Sequence, residues 1–375
     1  TRVESLTSLG LSEQQRLSQG ESIIMWQMFG LLIGGIIWGV MGDKKGRLSV
    51  LFGSIILYSL ANIANGFIQT ADQFKLVRFI AGIGLAGELG AGITLVSELT
   101  PKNKRGIATS LVAGIGLTGA VVAFVMKQNF DWRTCYFIGG GLGMLLLVLR
   151  ISVFESGMFN DLKKTNVQRG NFFMLFNNRK RALLYLQCIA IGVPIWYIIG
   201  ILINLSPRFV SLEGIESNTI LGEAVMFTYI GLSVGDVMSG LLSQWFKSRK
   251  KVIFFYLMMS IGLVAYYLSS ENISLNEFRV NCFLLGFGTG YWALFVQVAS
   301  ENFGTNIRST VTNTVPNFVR GSVVLITLSF KSLAESMEVR DAAIVVGAVC
   351  LSLALVSLIG MKETFSKDLD YHEID

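Results

Sequence analysis

Long apolar runs broken by short polar connectors set the rhythm of this chain. The runs lie near 22–41, 48–69, 76–98, 105–126, 133–154, 183–205, 220–243, 252–268, 278–300, 309–330 and 341–361. A helix of about 20 residues rises about 30 Å, the thickness of a bilayer's hydrocarbon core. No water is available there to satisfy backbone amides, so the runs predict helices that bond within themselves. The alternating pattern of a membrane β-barrel is absent. The pattern predicts an all-α membrane protein with eleven spans in the sequence. Connectors such as Gly42–Arg47, Thr100–Arg105 and Lys247–Lys251 are short, and one long connector separates five spans from six. The implied organisation is an N-terminal helical bundle over 1–154, a linker over 155–181, a C-terminal bundle over 182–362 and a tail over 363–375.

Composition supports this reading and charge orients it. Apolar residues make up 52% of the 375 and charged residues only 15%, against about 25% in an ordinary soluble domain. Lys44, Lys45, Arg47, Lys102, Lys104, Arg105, Arg150, Lys163, Lys164, Arg179, Lys180, Arg181, Lys247, Arg249, Lys250, Lys251 and Arg308 fall on one side of the alternating connectors. The other side holds fewer cations, among them Arg2, Lys75, Arg133, Arg208 and Arg340. Basic connectors stay in the cytoplasm, which places the linker and the C-terminus there, in a multi-pass protein of the cell (inner) membrane. The net charge of +6 is then topology and not a nucleic-acid footprint. By the same rule the polar stretch from Thr1 to Glu21 is external, which predicts one further helix upstream and makes the visible spans the second to the twelfth. Cys135, Cys188, Cys282 and Cys350 form no C-x-x-C pair and the lone His372 is in the tail, so neither a metal site nor histidine chemistry is expected.

The two sets of spans repeat one another at an offset of about 203 residues, a transporter signature. Gly82-Ile83-Gly84 matches Gly286-Phe287-Gly288; Ser97, Glu98, Asn103 and Arg105 match Ser300, Glu301, Asn306 and Arg308. Glu155-Ser156 matches Glu363-Thr364, and Gly39 with its basic turn matches Gly240 and Ser248-Arg249-Lys250. The stretch Gly82-Ile83-Gly84-Leu85-Ala86-Gly87 also spells a dinucleotide fingerprint. That fingerprint needs a strand before it, whereas these glycines sit inside an apolar span and predict a close helix–helix contact. No cofactor is expected.

Gly39-Val40-Met41-Gly42-Asp43-Lys44-Lys45-Gly46-Arg47 resembles the G-x-x-x-D-R/K-x-G-R/K loop signature of the major facilitator superfamily. Arg78 followed by Gly82, Gly84 and Gly87, then Glu98-Leu99-Thr100-Pro101 with Arg105-Gly106, and Asp131-Trp132-Arg133 resemble further motifs of that superfamily. Ala86-Gly87-Glu88-Leu89-Gly90 is similar to a stretch of its metabolite–proton symporters and organic-ion carriers, as is Glu301-x-Phe303-x-Thr305-x-x-Arg308. Phe154-Glu155-Ser156-Gly157-Met158 lacks the prolines and arginine of the sugar porters, and 106–125 lacks the Gly-Pro of drug–proton antiporters. The resemblance implies two six-helix bundles related by a pseudo-twofold axis, enclosing a central cavity that opens alternately to each side.

A charge near the bilayer centre costs at least about 2.5–3.5 kcal/mol and normally faces a cavity or a partner. Glu88, Asp236 and Arg320 are such charges, with Arg78 nearer the outside. Glu88 is either a proton-carrying group modulated by Arg78 or a permanent structural pair with an arginine. Arg320 completes a stripe with Asn313 and Asn317 at i, i+4 and i+7, with Pro316 inside it. Its fork suits a carboxylate or phosphate, supplied by Glu88, by Asp236 or by an anionic solute. Gln187, Trp196, Tyr197, Tyr291, Trp292 and Gln297 are candidate lining residues, though an aromatic in a span is also often packing or an interface anchor.

The motif residues read as gates. Asp43 is expected against the positive end of the eleventh-span helix near Ser309. Glu98, Arg105 and Glu155, with Glu301, Arg308 and Glu363, are expected to form ion pairs that close the inner side, or only to solvate loop ends and set topology. Residues 171–176 beside Arg179-Lys180-Arg181 predict an amphipathic segment on the membrane surface. Taken together, a monomeric secondary transporter is expected, moving a small, carboxylate-bearing organic solute by alternating access with proton symport. Proton-driven efflux of an organic compound, sugar transport, or a non-transporting sensor or scaffold are the alternatives. No G-x-S-x-G or H-E-x-x-H motif points to an enzyme.

Overall fold

A computed structural model describes residues 2–102, 104–150, 155–162, 167–210, 217–270 and 273–374. Asn103, Lys163 and Lys164 lie outside the described residues, as does the end of the 133–154 run. The described residues form α-helices and no strand: α1 (Arg2–Ser8), α2 (Glu13–Lys45), α3 (Arg47–Asn65), α4 (Ala71–Leu99), α5 (Arg105–Leu117), α6 (Gly119–Asn129), α7 (Trp132–Leu149), α8 (Gly157–Leu162), α9 (Met174–Asn177), α10 (Arg179–Tyr197), α11 (Ser217–Trp245), α12 (Arg249–Ser269), α13 (Leu275–Gly288), α14 (Trp292–Asn302), α15 (Arg308–Ala334) and α16 (Val339–Gly360).

Local chemistry starts many of them. Reciprocal side-chain and backbone bonds cap α2 at Ser12 and Gln15, α4 at Thr70 and Gln73, and α13 at Ser274 and Glu277. Asp131 and Asn178 accept from the first free amides of α7 and α10. Ten membrane-length apolar segments result among the described residues. The remaining run, 309–330, is α15, long enough at 27 residues but too polar along its first turns to count by apolarity. Its polar face is buried against the other half of the protein, which is why lipid does not exclude it.

Three spans are broken where a straight helix was expected. The 105–126 run divides at Thr118 into α5 and α6, and the 278–300 run divides at Thr289–Tyr291 into α13 and α14. Beyond Pro194, α10 passes into a wider-wound segment, Ile198–Ile203.

Glycines set the closest crossings. Gly30 and Gly34 of α2 lie against the backbone of Phe79 and Ile83 in α4, while Gly82 lies against Gln27. Gly84 meets Tyr58, Gly87 meets Ser54 and Trp38, and the Trp38 indole donates to the Ile83 carbonyl at 2.7 Å. The letters of a dinucleotide fingerprint are thus a packing face. The second half repeats the crossing, with Gly231 and Gly235 of α11 against Phe283 and Phe287, and Gly286 against Thr228. The halves meet where Gly35 and Gly39 of α2 and Gly90 of α4 press on α15, and where Gly106 of α5 and Gly240 of α11 press on each other's helix.

In the linker, Met174 and Leu175 of the 171–176 segment are buried in the largest apolar cluster and Phe172 meets Phe318 edge-on, while Phe173 and Phe176 are exposed.

Candidate functional site

At the basic end of the bundle the two halves are tied together. Asp43, the last turn of α2, is fully buried against the first turn of α15. It accepts the Ser309 amide at 2.9 Å, the Thr310 amide at 2.8 Å and the Thr310 hydroxyl at 2.7 Å. A carboxylate at a helix N-terminus satisfies amides that have no partner in the helix and meets the positive end of its dipole. Gly39 makes the approach possible, because a side chain there would meet the Thr310 backbone. Gly46, at φ 107°, turns the chain so that Arg47 points back inward. Arg47 then bridges Asp43 at 3.5 Å and Glu98 at 2.9 Å, and Glu98 receives Arg308 from the other half at 3.0 Å. Ser156 donates to the remaining Glu98 oxygen, and Glu155 accepts the Leu48 amide at 3.1 Å, capping α3. Lys44 is exposed beside this cluster.

The second half rebuilds the same cluster. Arg249 pairs with Glu301 at 3.4 Å, as Arg47 does with Glu98. Arg105 donates to the Ser97 carbonyl at 2.8 Å, and Arg308 to the Ser300 carbonyl at 3.1 Å. Phe159 lies under Arg47 and Phe365 under Arg249, each 4.9 Å from guanidinium to ring centre. Glu363 takes the place of Glu155, accepting Ser248 and the amides of Arg249 and Lys250. Burial, the largest influence, pushes its carboxyl up, but the Ser248 hydroxyl and the amides of Phe365, Arg249 and Thr364 together hold it below the usual range. Thr94 with Thr312 at 2.6 Å and Thr109 with Gln297 at 2.9 Å also join the halves.

The C-terminal tail crosses this end as a strap. The Leu369 carbonyl accepts from Arg308 at 2.5 Å and from the Thr305 hydroxyl at 2.9 Å, and the Tyr371 carbonyl accepts the Thr305 amide at 2.8 Å. Glu373 pairs with Arg181 at 3.2 Å, while Asp368 pairs with Lys102 of the first half at 2.8 Å. Leu369 is fully buried beneath the strap.

Deeper in the bundle, a second group converges. Arg320 lies 5.1 Å over the Trp292 ring, and Trp292 meets Trp196 edge-on at 6.3 Å. Arg320 donates to Asn317 at 3.3 Å, and it forms no ion pair among the described residues. Glu88 interacts with it electrostatically but makes its contact, 3.9 Å long, with Arg150. Both partners of that pair keep 30% of their side-chain surface exposed. The buried Trp196 indole nitrogen has no partner.

Several residues stand elsewhere than the spacing implied. Asp236 does not reach Arg320: it is fully buried in α11 and accepts the Ala293 amide at 2.8 Å, capping α14 at the helix break. Tyr197 is buried with its hydroxyl on the Ala343 carbonyl, and Tyr291 likewise on that of Ile191. Gln187 faces the end of α16 at Gly360, and Gln297 joins Thr109 to Glu301 at the charged end. Asn313 is buried against Gly90 with its amide on the Ser309 carbonyl, and Asn317 donates to the Ala86 carbonyl at 2.9 Å across the halves. Arg78 donates to Gln27 at 2.7 Å and not to Glu88. The cause is common to all of them: a polar group inside a helical bundle is captured by the nearest backbone or polar partner, and periodicity cannot say which that is. The spacing places Arg150 in a connector; the structure places it at the end of α7, turned toward Glu88, and a cation at the edge of an apolar run is its signal in the sequence. The tail contacts left no signal in the sequence.

The profile of the Major Facilitator Superfamily matches residues 5–328. The gentisate transporter of Corynebacterium glutamicum is 26% identical over 356 residues, 90% of this chain and 78% of that protein. The 3-(3-hydroxy-phenyl)propionate transporter of Escherichia coli K12 is 27% identical over 290 residues, 76% of this chain and 70% of that protein. In fold the chain resembles the proton:xylose symporter XylE bound to 6-bromo-6-deoxy-D-glucose, with a TM-score of 0.75 and 16% identity over 98% of this chain and 92% of that one.

Proposed function

Since this chain belongs to the Major Facilitator Superfamily, and is thus a multi-pass membrane secondary transporter and not an enzyme, we propose that its cargo is a small organic carboxylate, best an aromatic one, imported with protons. The observation that carries this reading is Arg320. A guanidinium inside a membrane bundle with no carboxylate in direct contact, Glu88 acting on it only from a distance, is costly unless an anion visits it. Trp292 beneath it and the unpartnered Trp196 indole beside it add a flat apolar face and a donor. The two relatives transport, by name, gentisate and a hydroxyphenyl propionate, both of which join an aromatic ring to a carboxylate. Glu88, half-open and sharing its charge between Arg150 and Arg320, is the group we assign to proton coupling.

The basic end faces the cytoplasm by the charge rule, and the clusters around Glu98 and Glu301 form its gate. The gate opens as the bundles 1–154 and 182–362 rock about the solute of a single monomer. Individually weak pairs bias a two-state equilibrium when they exist in only one of the states.

The test is uptake into liposomes holding the purified protein. Radiolabelled gentisate, benzoate and xylose are offered under an inward proton gradient. Gradient-driven accumulation of an aromatic acid is expected. Uptake of xylose alone, or accumulation only under the opposite gradient, would overturn the proposal. Glu88→Gln should abolish uphill uptake and spare exchange; preserved uphill uptake would remove Glu88 from the coupling role.

A further inference from the structure

The turn between α11 and α12 and the last turn of α16 enclose a groove of about 560 Å³ that the solute path does not use. Its cations are Lys247, Lys250 and Lys251. Ser248 caps α12 by accepting the Lys251 amide, and Lys247 sits at a positive φ of 50°, so the three side chains leave a tight turn in different directions. Lys250 is already engaged: its ammonium donates to the Ile359 and Met361 carbonyls at 2.8 and 2.7 Å and closes the floor against α16. The Lys247 and Lys251 ammonium groups have no acid or acceptor among the described residues. Glu363 at the rim offers little to them, because its oxygens are occupied by Ser248 and the amides of Arg249, Lys250 and Phe365. Lys247 and Lys251 therefore line the groove without an ion pair of their own, and Glu363, the carboxylate in the same lining, is turned to the start of α12.

The walls identify the occupant. Phe246, Phe254 and Ile359 line the groove and are 54%, 45% and 65% exposed, with Trp245 beside them at 77%. All stand at the ends of membrane-length helices, the depth at which aromatic rings mark the boundary between headgroups and acyl chains. A free anion needs the lysines but not an apolar wall that continues toward the membrane. A lipid uses both, and basic pockets between helices at this depth bind anionic headgroups.

We propose that this groove binds the phosphodiester of an anionic phospholipid between Lys247 and Lys251, with one acyl chain along Phe254 and Ile359. The site stands apart from the solute reading and needs no transport assay. Purified full-length protein, stripped of lipid in detergent, is titrated with phosphatidylglycerol, phosphatidylcholine and inorganic phosphate, and bound ligand is counted by native mass spectrometry. Phosphatidylglycerol should be retained and phosphatidylcholine and inorganic phosphate should not. K247A/K251A should lose roughly 30-fold in affinity, the effect of two cations at an anionic surface. K247R/K251R should restore it, and R179A/K180A, which removes two exposed cations at the same end, should bind as the parent does. Gel-filtration profiles report that each variant is folded. Equal retention of the two lipids, undiminished binding by K247A/K251A, or an equal loss in R179A/K180A would overturn the proposal, and binding of inorganic phosphate alone would make it an anion site without a lipid.

Discussion

Glu98 is the centre of the buried charge cluster proposed as a gate, since it takes Arg47 from its own half and Arg308 from the other. Removing one partner from a buried cluster costs more than the cluster contributes, because it leaves a charge unpaired in an apolar setting, typically about 3–5 kcal/mol. Glu98→Gln keeps the shape and the hydrogen-bond acceptor but leaves Arg308 without a carboxylate and Arg47 with Asp43 alone. Its expected effect is a shift toward the form open at this end, read as faster alkylation by a membrane-impermeant maleimide of a cysteine introduced at Thr312. An unchanged rate would contradict the gate. At the proposed solute site Arg320→Lys keeps the charge and loses the planar fork that lies over Trp292. It should weaken counterflow of aromatic acids about tenfold or more, the worth of a bidentate pair. Equal weakening for xylose would argue against a carboxylate. Glu98 could be picked out of the sequence by the repeat and Arg320 by its charge; which individual contacts they make could not.

Helices carry a different kind of information. Asp236 looked like a substrate residue because a carboxylate inside an apolar run asks for a function, yet α11 uses it to cap a neighbouring helix begun in mid-membrane. The broken span 275–302 explains this: α14 starts with amides that no residue of its own chain segment satisfies. Asp236→Asn retains an acceptor and should lower the melting temperature little, whereas Asp236→Ala should lower it by several degrees, as a lost cap or unsatisfied donor of about 1–3 kcal/mol does. Comparable melting of the two variants would remove the capping role. Glycine placement follows the same logic. Gly231→Ala drives a methyl into the Phe283 carbonyl and should destabilise by about 1–3 kcal/mol, while Gly116→Ala meets open space and should not. Thermal denaturation in detergent compares them directly.

On the scale of the whole molecule, the tail joins both halves at the proposed gate, through Asp368 to Lys102 and through Leu369, Tyr371 and Glu373 to the second half. Ending the chain at Ser366 should raise hydrogen exchange at the Thr305 amide, which now donates to Tyr371, and should favour the open form. Protection at Thr305 unchanged by truncation would show that the strap follows the gate and does not hold it.

The sequence by itself determined the membrane, the helices, their approximate ends and the doubling of the chain. Each of those follows from local rules: an apolar run must satisfy its own amides in lipid, and two halves with like motifs at a constant offset fold alike. Asp43 and Ser309, 266 residues apart, could be matched in advance because a carboxylate and a free helix end are complementary wherever they meet. What only the tertiary structure decided was which polar group each buried residue chose. Glu88 took Arg150, Arg78 took Gln27, Asp236 took a backbone amide, and α15 buried a face too polar for lipid. Those choices depend on helix breaks at Thr118 and Thr289 and on close backbone approach at glycines, neither of which a hydrophobic period records.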